Sequence, residues 1–599
     1  MNTLLQDMRY SLRLLMKRPG FTLVAVITLA LGIGANTAIF SVVNGVLLRP
    51  LSFSNPERLV IIRATNPQKG ITTNQVSLPD ALDWKTQSQA FDDMALLGGW
   101  NFNLTEVDEP ERIQGALVTT NLFQLLGKLP MLGRTFTPEE AQPGKDHVVI
   151  LSYGLWQRRF GADPNIIGQS LTLNGISSTV IGVMPRDFDY PYQDVGIWAP
   201  LVGEDEARNS RWLTAVGRLK ASATLKQAHT ELDTIARRLE QSYPDSNEGW
   251  GVSLITLQDS ITNDIRPALL VLLGAVGLVL LIACANVATL VLARGVSRRR
   301  EFAIRVAMGA TRPRLIRQLL TESAMLSLLG GALGILLALW GIGFLLVVAP
   351  EDIPRLNEVK IDAAVLGFTL AVSLLTALVS GLAPALLTSN LDPYETLKEE
   401  RGAIGSDNRQ RLRQLLMVSE VALSLVLLVG AGLLIRSFLR VQRVDAGFRT
   451  ENLLTMELIL TGPNYGSLAG QQTFVNQTLQ QIEALPGVQS ASAITTLPVG
   501  GTSGQVHYSF VAEGRQVREG EDPNAYYRSI SPGYFQTMGI ALNAGRTFTE
   551  RDHQTAPPVA IINQTMARVY WPAGSAVGQR VNGAEIVGVV NDVRFPANR

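Results

Sequence analysis

Side chains that could do catalytic chemistry are few and dispersed in this 599-residue chain. The single cysteine, Cys284, lies in an apolar segment, and the acidic pairs Glu139–Glu140 and Asp92–Asp93 lie in polar segments typical of exposed surface. The histidines are far apart: His147, His229, His507 and His553. We therefore expect no intrachain disulfide, no metal site and no catalytic residues.

Nucleotide-binding motifs are also missing from the sequence. The pattern GxxxxGK[ST], whose backbone N–H groups cradle ATP phosphates, does not occur, and neither do HExxH or GxSxG. Residues 32–37 are similar to the first part of a dinucleotide fingerprint, but they lack its third glycine and lie in an apolar segment. Close packing of helices through small residues is the better interpretation. We expect no cofactor on this chain, with ATP bound by a partner subunit.

One basic loop has charges at helical spacing. Glu301 and Arg305 form an i,i+4 pair, and Arg298 shares their face, while Phe302 can contact Val306 one turn later. These residues predict a short helix at the cytoplasmic surface.

The same loop then contains a helix stop and a helix start. Gly309, followed by Ala310, suits the position after a helix C-terminus, and Thr311 can cap a new helix with Pro313 in its first turn. We predict an elbow that turns at Gly309 and passes a push from a cytoplasmic partner into the membrane. The alternative is that the arginines only bind anionic lipid, at about 1 kcal/mol each.

Two glutamates are candidates for intramembrane coupling, since charges in apolar segments are often functional. Glu420 lies about 9 Å along its helix from the cytoplasmic end, where it could reach Arg413 or interfacial water. Glu322 ends the basic loop. Polar and small residues in the apolar segments predict interhelical hydrogen bonds and close helix approach: Asn36, Asn44, Asn286, Gly330, Gly331 and Gly334.

The elements that must position these residues are apolar helices. The chain is 46% hydrophobic and 17% charged, and its net charge of +1 gives no reason to expect a nucleic-acid partner. Five segments of 22 to 30 residues carry at most one charge each: residues 19–48, 268–293, 323–350, 363–391 and 414–435. Since about 20 apolar residues cross a bilayer, we predict five transmembrane helices.

Basic residues near the segment ends predict the orientation, because basic loops stay in the cytoplasm. Residues 294–317 carry eight arginines and one glutamate, and residues 9–18 carry four basic residues. The predicted order is cytoplasmic residues 1–20, span 21–48, extracytoplasmic domain 49–266, span 267–293, cytoplasmic elbow 294–322, span 323–350, short external loop 351–362, span 363–391, cytoplasmic loop 392–413, span 414–438 and extracytoplasmic domain 439–599.

The two external regions are related in sequence. Residues 123–137 and 535–549 share eight of fifteen positions, and both end in Gly-Arg-Thr-Phe-Thr. Asn174–Gly175, matched by Asn582–Gly583, indicates a β-hairpin. Residues 224–243 carry an apolar stripe and a Thr224–Gln227 capping box, which indicate an amphipathic helix. We therefore predict an α-helical membrane protein with two repeated α/β domains.

The second repeat is expected to be incomplete. By the offset of the repeat, Arg599 corresponds to about position 193 of the first copy. We predict a C-terminally truncated chain whose intact form has about 800 residues and eight spans. A native stop codon after Arg599, in a chain that still works, would contradict this.

The chain resembles the MacB/FtsX-like permeases of ABC systems, most closely a duplicated, two-unit subgroup of acidobacterial type. Three stretches carry the resemblance: residues 13–21 with 31–36, the Gly-Arg-Thr-Phe-Thr block of each external domain, and residues 300–305 through Gly309–Ala310 to Glu322. The resemblance implies a span, a MacB-type core domain and then three spans. It also implies that the basic loop is an FtsX-type elbow for a separate ATPase.

The resemblance implies a permease subunit of an ABC export or mechanotransmission system, not itself an enzyme, in the bacterial inner membrane with a cytoplasmic N-terminus. Expected partners are a cytoplasmic ABC ATPase, membrane lipid, a second permease unit (in the same chain when intact, or in a homodimer) and a periplasmic adaptor or envelope enzyme. Two alternatives stay open: a membrane-anchored regulator or scaffold of an envelope enzyme without transport, and an inactive truncated permease.

Overall fold

The computed structural model describes residues 2–105, 110–191, 194–203, 207–297, 308, 311–348, 355–389, 407–442, 445–458, 460, 465, 467–498, 507–513, 524–572 and 574–593. The chain divides into two compact units. The membrane unit consists of Met1–Glu57 and Thr256–Leu439, and the core-domain unit consists of Arg58–Ile255 and Arg440–Arg599.

The helices are, in chain order, α1 (Asn2–Met16), α2 (Pro19–Val43), α3 (Leu78–Gln87), α4 (Leu122–Leu126), α5 (Tyr153–Phe160), α6 (Leu225–Ser242), α7 (Pro244–Asn247), α8 (Leu257–Thr262), α9 (Arg266–Ser297), α10 (Arg312–Val348), α11 (Ala363–Ser389), α12 (Asp407–Gln442), α13 (Leu468–Glu483), α14 (Tyr534–Thr537) and α15 (Gln564–Tyr570).

The strands are β1 (Leu59–Asn66), β2 (Ile71–Asn74), β3 (Val76–Ser77), β4 (Phe91–Thr105), β5 (Glu111–Val118), β6 (Leu132–Gly133), β7 (Val148–Leu151), β8 (Ser170–Leu173), β9 (Ile176–Val183), β10 (Ile197–Pro200), β11 (Arg211–Leu219), β12 (Gly251–Thr256), β13 (His507–Ser509), β14 (Asn524–Tyr526), β15 (Leu542–Gly545), β16 (Val559–Asn563), β17 (Arg580–Val581) and β18 (Ala584–Val590).

Within the described residues, five helices of the membrane unit are long and apolar enough to cross a membrane: α2 with the π-helical turn Asn44–Leu48, α9, α10, α11 and α12. They coincide with the five predicted segments, with one correction. Helix α10 begins at Arg312, so residues 312–322, which we predicted as part of the elbow, belong to the third apolar helix. Long arginine side chains let a helix extend through the polar interface, because their charged ends reach water.

Helices α2, α9, α10 and α11 pack through small residues. A Cβ atom built on Gly34 would lie 2.9 Å from the carbonyl oxygen of Gly334, and one built on Gly330 would lie 2.7 Å from Cβ of Leu29. The predicted role of Gly330, Gly331 and Gly334 is therefore confirmed. Helix α12 differs, since no residue in its apolar stretch is buried.

The first core domain is built on one mixed sheet. Its main path runs β12-β1-β11-β4-β5-β10-β7-β9-β6, and β2, β3 and β8 join it at the sides. Helix α6 carries the predicted Thr224–Gln227 capping box and buries Ala228, Leu232 and Ile235 against this sheet. The predicted hairpin at Asn174–Gly175 joins β8 to β9, with positive φ at both residues.

The repeat is confirmed by matching strand registers. In the first domain β9 pairs antiparallel with β6 and β8 and parallel with β7. In the second domain β18 pairs antiparallel with β15 and β17 and parallel with β16. Gly133 faces Gly182 in one sheet, and Gly545 faces Gly588 in the other.

The shared Gly-Arg-Thr-Phe-Thr motif forms the same bracket in both domains. Arg134 donates two hydrogen bonds to Glu140, of 2.7 and 3.1 Å, and the backbone N–H of Thr137 donates to the same carboxylate at 2.8 Å. Arg546 holds Asp552 in the same way at 2.7 and 2.8 Å. The motif is thus structural, because both carboxylates tie a loop to the sheet edge.

One segment of the second repeat is packed differently from its counterpart. Aligning Glu451 with Glu57 places residues 454, 456 and 458 on Val60, Ile62 and Ala64 of β1. Those three residues of β1 are buried, whereas Leu454, Met456 and Leu458 are 97%, 63% and 51% exposed. In the first domain β1 pairs with β11, and the described residues from 445 to 593 contain no counterpart of that strand. The incompleteness of this domain stays a prediction.

We expect acid to loosen both brackets. Burial alone would raise the pKa of Glu140, but hydrogen bonds from Arg134 and Thr137 outweigh burial and lower it. The hydrogen bond from Arg546 lowers the pKa of Asp552. A carboxyl group whose pKa is lower in the folded than in the unfolded chain stabilises the folded domain fully above about pH 4. This stabilisation is lost as the pH falls through the pKa of the folded chain.

The measurement is hydrogen exchange of the amides of Arg134 and Arg546, which donate to Ile181 and Val587 across the sheet edge. Protection corrected for intrinsic rates should fall from pH 7 to pH 3. The substitution Glu140→Gln should lower the free energy of local opening at Arg134 by about 1–3 kcal/mol at pH 7. Equal protection of Arg134 in the variant and the parent chain at pH 7 would contradict this role.

We also expect Gly34→Ala to destabilise the helix bundle. The added methyl group must push on the backbone of Gly334, and overpacking of this kind costs about 1–3 kcal/mol. Gly343→Ala in α10 is the matched control, because its Cβ would meet nothing within 4 Å. Thermal unfolding in detergent should separate the two variants, and equal melting temperatures would show that the crossing tolerates the change.

Candidate coupling site in the membrane unit

Six residues predicted for the cytoplasmic elbow lie outside the described residues: Arg298, Glu301, Phe302, Arg305, Gly309 and Ala310. Helix α9 ends before them at Ser297, and α10 begins after them at Arg312 with Pro313 in its first turn, as predicted. The assignment of the elbow as a docking site stays a prediction.

The two predicted intramembrane glutamates lie in different surroundings. Glu322 on α10 is buried, with its Oε1 3.4 Å from Nε2 of Gln318. Glu420 on α12 is half-buried, and it makes no ion pair with Arg413 or with another residue in the parts of the chain that the structure describes. Of the two, only Glu322 is fully buried in the helix bundle.

Polar side chains connect the packed helices, as the asparagines predict. Asn36 on α2 donates its Nδ2 to the carbonyl of Val276 on α9 at 2.7 Å. The hydroxyls of Thr37 and Thr369 lie 3.0 Å apart between α2 and α11. No hydrogen bond of the half-buried Asn286 is seen among the described residues. The threonine pair was missed because single threonines in an apolar segment carry no positional signal.

The outer end of the bundle holds a second polar cluster, of which the sequence analysis predicted only Asn44 as a hydrogen-bonding residue. Arg355 has a side chain only 8% exposed and donates to the carbonyls of Arg49 at 2.8 Å and Pro50 at 3.1 Å. It also forms a two-point contact with Glu358, at 3.1 and 2.9 Å. The guanidinium thus caps the backbone just after the π-helical turn that ends α2.

Three more hydrogen bonds complete this cluster. Asn44 donates its Nδ2 to Asp362 at 3.1 Å, and Asp362 also accepts from the backbone N–H of Val365 at 3.0 Å, at the start of α11. The backbone hydrogen bond from Val365 lowers the pKa of Asp362. Gln258 on α8 donates to the carbonyl of Leu47 at 2.7 Å. We call residues 44–50, 257–262 and 355–362 the outer joint.

The outer joint connects three chain segments by charge and backbone hydrogen bonds. Arg355 itself has a left-handed backbone, with φ of 61°, which is unusual for a residue with a side chain. Strain of this sort persists where surrounding contacts hold it, and it often marks functional positions. A signal was present in the sequence, since a single arginine in an acidic external loop runs against the charge bias of such loops.

Two family models match the sequence. The MacB-like periplasmic core domain matches residues 22–235 and 415–598, and the FtsX-like permease C-terminal model matches residues 273–393. The first alone covers more than half of the chain, and its two matches coincide with the two repeats. Among the described residues no group of three or more histidine, cysteine or acidic side chains converges as a metal site.

Curated relatives are export proteins by name. The probable syringafactin export ATP-binding/permease protein SyfD of Pseudomonas syringae is 27% identical over 312 residues, which cover 49% of this chain and 43% of the relative. The macrolide export ATP-binding/permease protein MacB of Bdellovibrio bacteriovorus is 26% identical over 385 residues, which cover 62% and 56%. The chain thus spans about half the length of the curated relatives it matches.

A solved structure also matches part of the chain. The periplasmic region of MacB from Actinobacillus actinomycetemcomitans is 14% identical, with 38% of this chain and 97% of that chain covered, at a TM-score of 0.28. The family assignment follows from the two family models. The chain belongs to the MacB/FtsX-like permease family of ABC systems, and it carries that family's periplasmic core domain twice.

Proposed function

We propose that the chain is a permease subunit of an ABC-type export or mechanotransmission system in the bacterial inner membrane. The N-terminus and the elbow face the cytoplasm, and both core domains lie outside. The basic residues at 9–18 and 294–317 support this orientation. ATP hydrolysis is assigned to a separate subunit because the 599 residues contain no phosphate-binding loop motif.

The outer joint is the observation that carries this proposal. The chain leaves the membrane unit after Glu57 and returns at Thr256, so both connections to the first core domain pass through the joint. Gln258 ties the returning segment to Leu47 of the departing one, and Arg355 ties the departing segment to the loop between α10 and α11. A shift of the loop at Arg355 would therefore reach both connections together.

The membrane helices can transmit such a shift because two of them are in backbone contact. Helix α10 lies against α2 at Gly34 and Gly334 with backbone atoms in contact, so neither helix can move far without the other. Arg355 lies in the connection that follows the end of α10 at Val348. The proposed path runs from the elbow, along α10, through Arg355 and into the core domain.

We expect Arg355→Gln to uncouple the core domain from the ATPase. Mutations along a coupling network change coupling by about 0.5–2 kcal/mol, which is about a 2- to 30-fold loss. The readout is an ATP-dependent change in energy transfer between dyes at Lys226→Cys and Ser437→Cys in a Cys284→Ser background, with the co-purified ATPase present. Lys360→Gln is the matched control, since Lys360 is exposed in the same loop.

The result separates the candidate functions. Loss of the signal in Arg355→Gln with ATPase binding intact supports transmission through the joint. An unchanged signal in that variant would contradict it. Co-purification of an envelope enzyme without any ATPase would favour the alternative function as a regulator or scaffold.

We expect charge reversal at the elbow, Glu301→Lys with Arg305→Glu, to uncouple ATP hydrolysis without unfolding the chain. The i,i+4 pair keeps its attraction when swapped, so the elbow helix should persist while its surface charge changes. The measurement is co-purification of the ATPase together with thermal unfolding of the permease. Normal ATPase docking in the double variant would argue that the arginines only anchor lipid.

A further inference from the structure

A groove with largely apolar walls lies between α1 and the first half of α10. Its volume is about 590 Å³, within the range of small-molecule sites. Its lining consists of one residue of α1 and one stripe of α10: Met8, Pro313, Ile316, Arg317, Leu320, Thr321, Ala324, Met325 and Leu328. Neither the proposed transmission path nor the family assignment gives this groove a role.

The α10 residues of the groove recur every three or four positions, so they share one face of the helix. The face runs from Pro313 to Leu328, and the part from Arg317 to Leu328 measures about 16 Å at 1.5 Å per residue. One leaflet of a bilayer has about 15 Å of hydrocarbon, half of the total of about 30 Å. The distance from Arg317 to the deep end of the groove therefore matches the depth of one leaflet.

Polarity is graded along this face. Arg317 and Thr321 lie toward the start of α10, and Ala324, Met325 and Leu328 follow deeper in the apolar segment. A peptide segment would need partners for its own backbone N–H and C=O groups, which these carbon walls do not provide. An acyl chain needs none, and a phosphate suits the guanidinium.

Helix α1 forms the other wall and has three distinct faces. Ser11 and Leu15 are buried, and Leu15 packs in the cluster that includes Leu326 of α10. The other two faces are exposed. One is apolar and consists of Met8, Leu12 and Met16. The other is basic and consists of Arg9 and Arg13, with Lys17 just after the helix end. An exposed apolar stripe beside a basic stripe is typical of a helix that lies in the headgroup region of an anionic membrane.

We propose that this groove binds one anionic phospholipid, with an acyl chain along α10 toward Leu328 and the phosphate at Arg317. The basic face of α1 does not line the groove, but it adds positive charge to the same helix that carries Met8. The lipid would fill the space between α1 and α10 and hold the N-terminal helix against the bundle. This inference does not depend on the proposed export function.

The test is native mass spectrometry of the full chain in detergent, titrated with phosphatidylglycerol or phosphatidylcholine. We expect one retained phosphatidylglycerol, with about fivefold weaker retention of phosphatidylcholine, since one arginine at a membrane surface contributes about 1 kcal/mol. Arg317→Gln should remove this preference. Ala324→Phe, which fills the acyl part of the groove, should weaken retention of both lipids.

Arg314→Gln is the matched control, because Arg314 is exposed on α10 but does not line the groove. Melting temperatures of all variants, measured without added lipid, identify any variant that fails to fold. If Arg317→Gln fails to fold, Arg317→Lys replaces it; because this variant keeps the charge, it should still prefer phosphatidylglycerol. Equal retention of both lipids, unaffected by Arg317→Gln and Ala324→Phe, would mean annular lipid only and would overturn the proposal. Displacement of the lipid by the co-purified ATPase would also overturn it, by making the groove a protein docking site.

Discussion

Backbone contact between α2 and α10, at Gly34 and Gly334, is the constraint on which the membrane unit depends. Because a Cβ at Gly34 would lie 2.9 Å from a carbonyl oxygen, the two helices meet with almost no side chain between them. Dispersion and short polar contacts then replace the hydrophobic effect, which does not operate between helices in lipid. The hydrogen bonds of Asn36 and Thr37 lie within one turn of this crossing and fix its register.

The core domains obey a different constraint. Each must hold a short antiparallel strand at the edge of a mixed sheet, and each does so with an arginine that clamps a carboxylate six residues later. The carboxylate is Glu140 in one copy and Asp552 in the other, so the bracket tolerates a change of side-chain length. Its geometry depends instead on Gly133 and Gly545, where positive φ and the nearby sheet backbone leave no room for a side chain.

Local signals predicted most of the elements. The Asn174–Gly175 hairpin, the Thr224–Gln227 capping box and the apolar segments each depend on residues close in sequence, and each appears as predicted. The outer joint was missed because Arg355 finds its partners at residues 49 and 50, about 300 positions away. The elbow was predicted to extend to residue 322 because charge content indicates the end of a span. Helix α10 nevertheless begins at Arg312, since a helix continues through the interface when its arginines reach water.

The exposed row at Leu454, Met456 and Leu458 has a consequence for handling this protein. Exposed apolar side chains at alternate positions of an extended segment favour pairing with other chains. A fragment limited to residues 440–599 would present that row to every other copy in solution. Aggregation of such a fragment during expression would then be caused by this segment and not by the rest of the domain. The substitution Met456→Lys should reduce it.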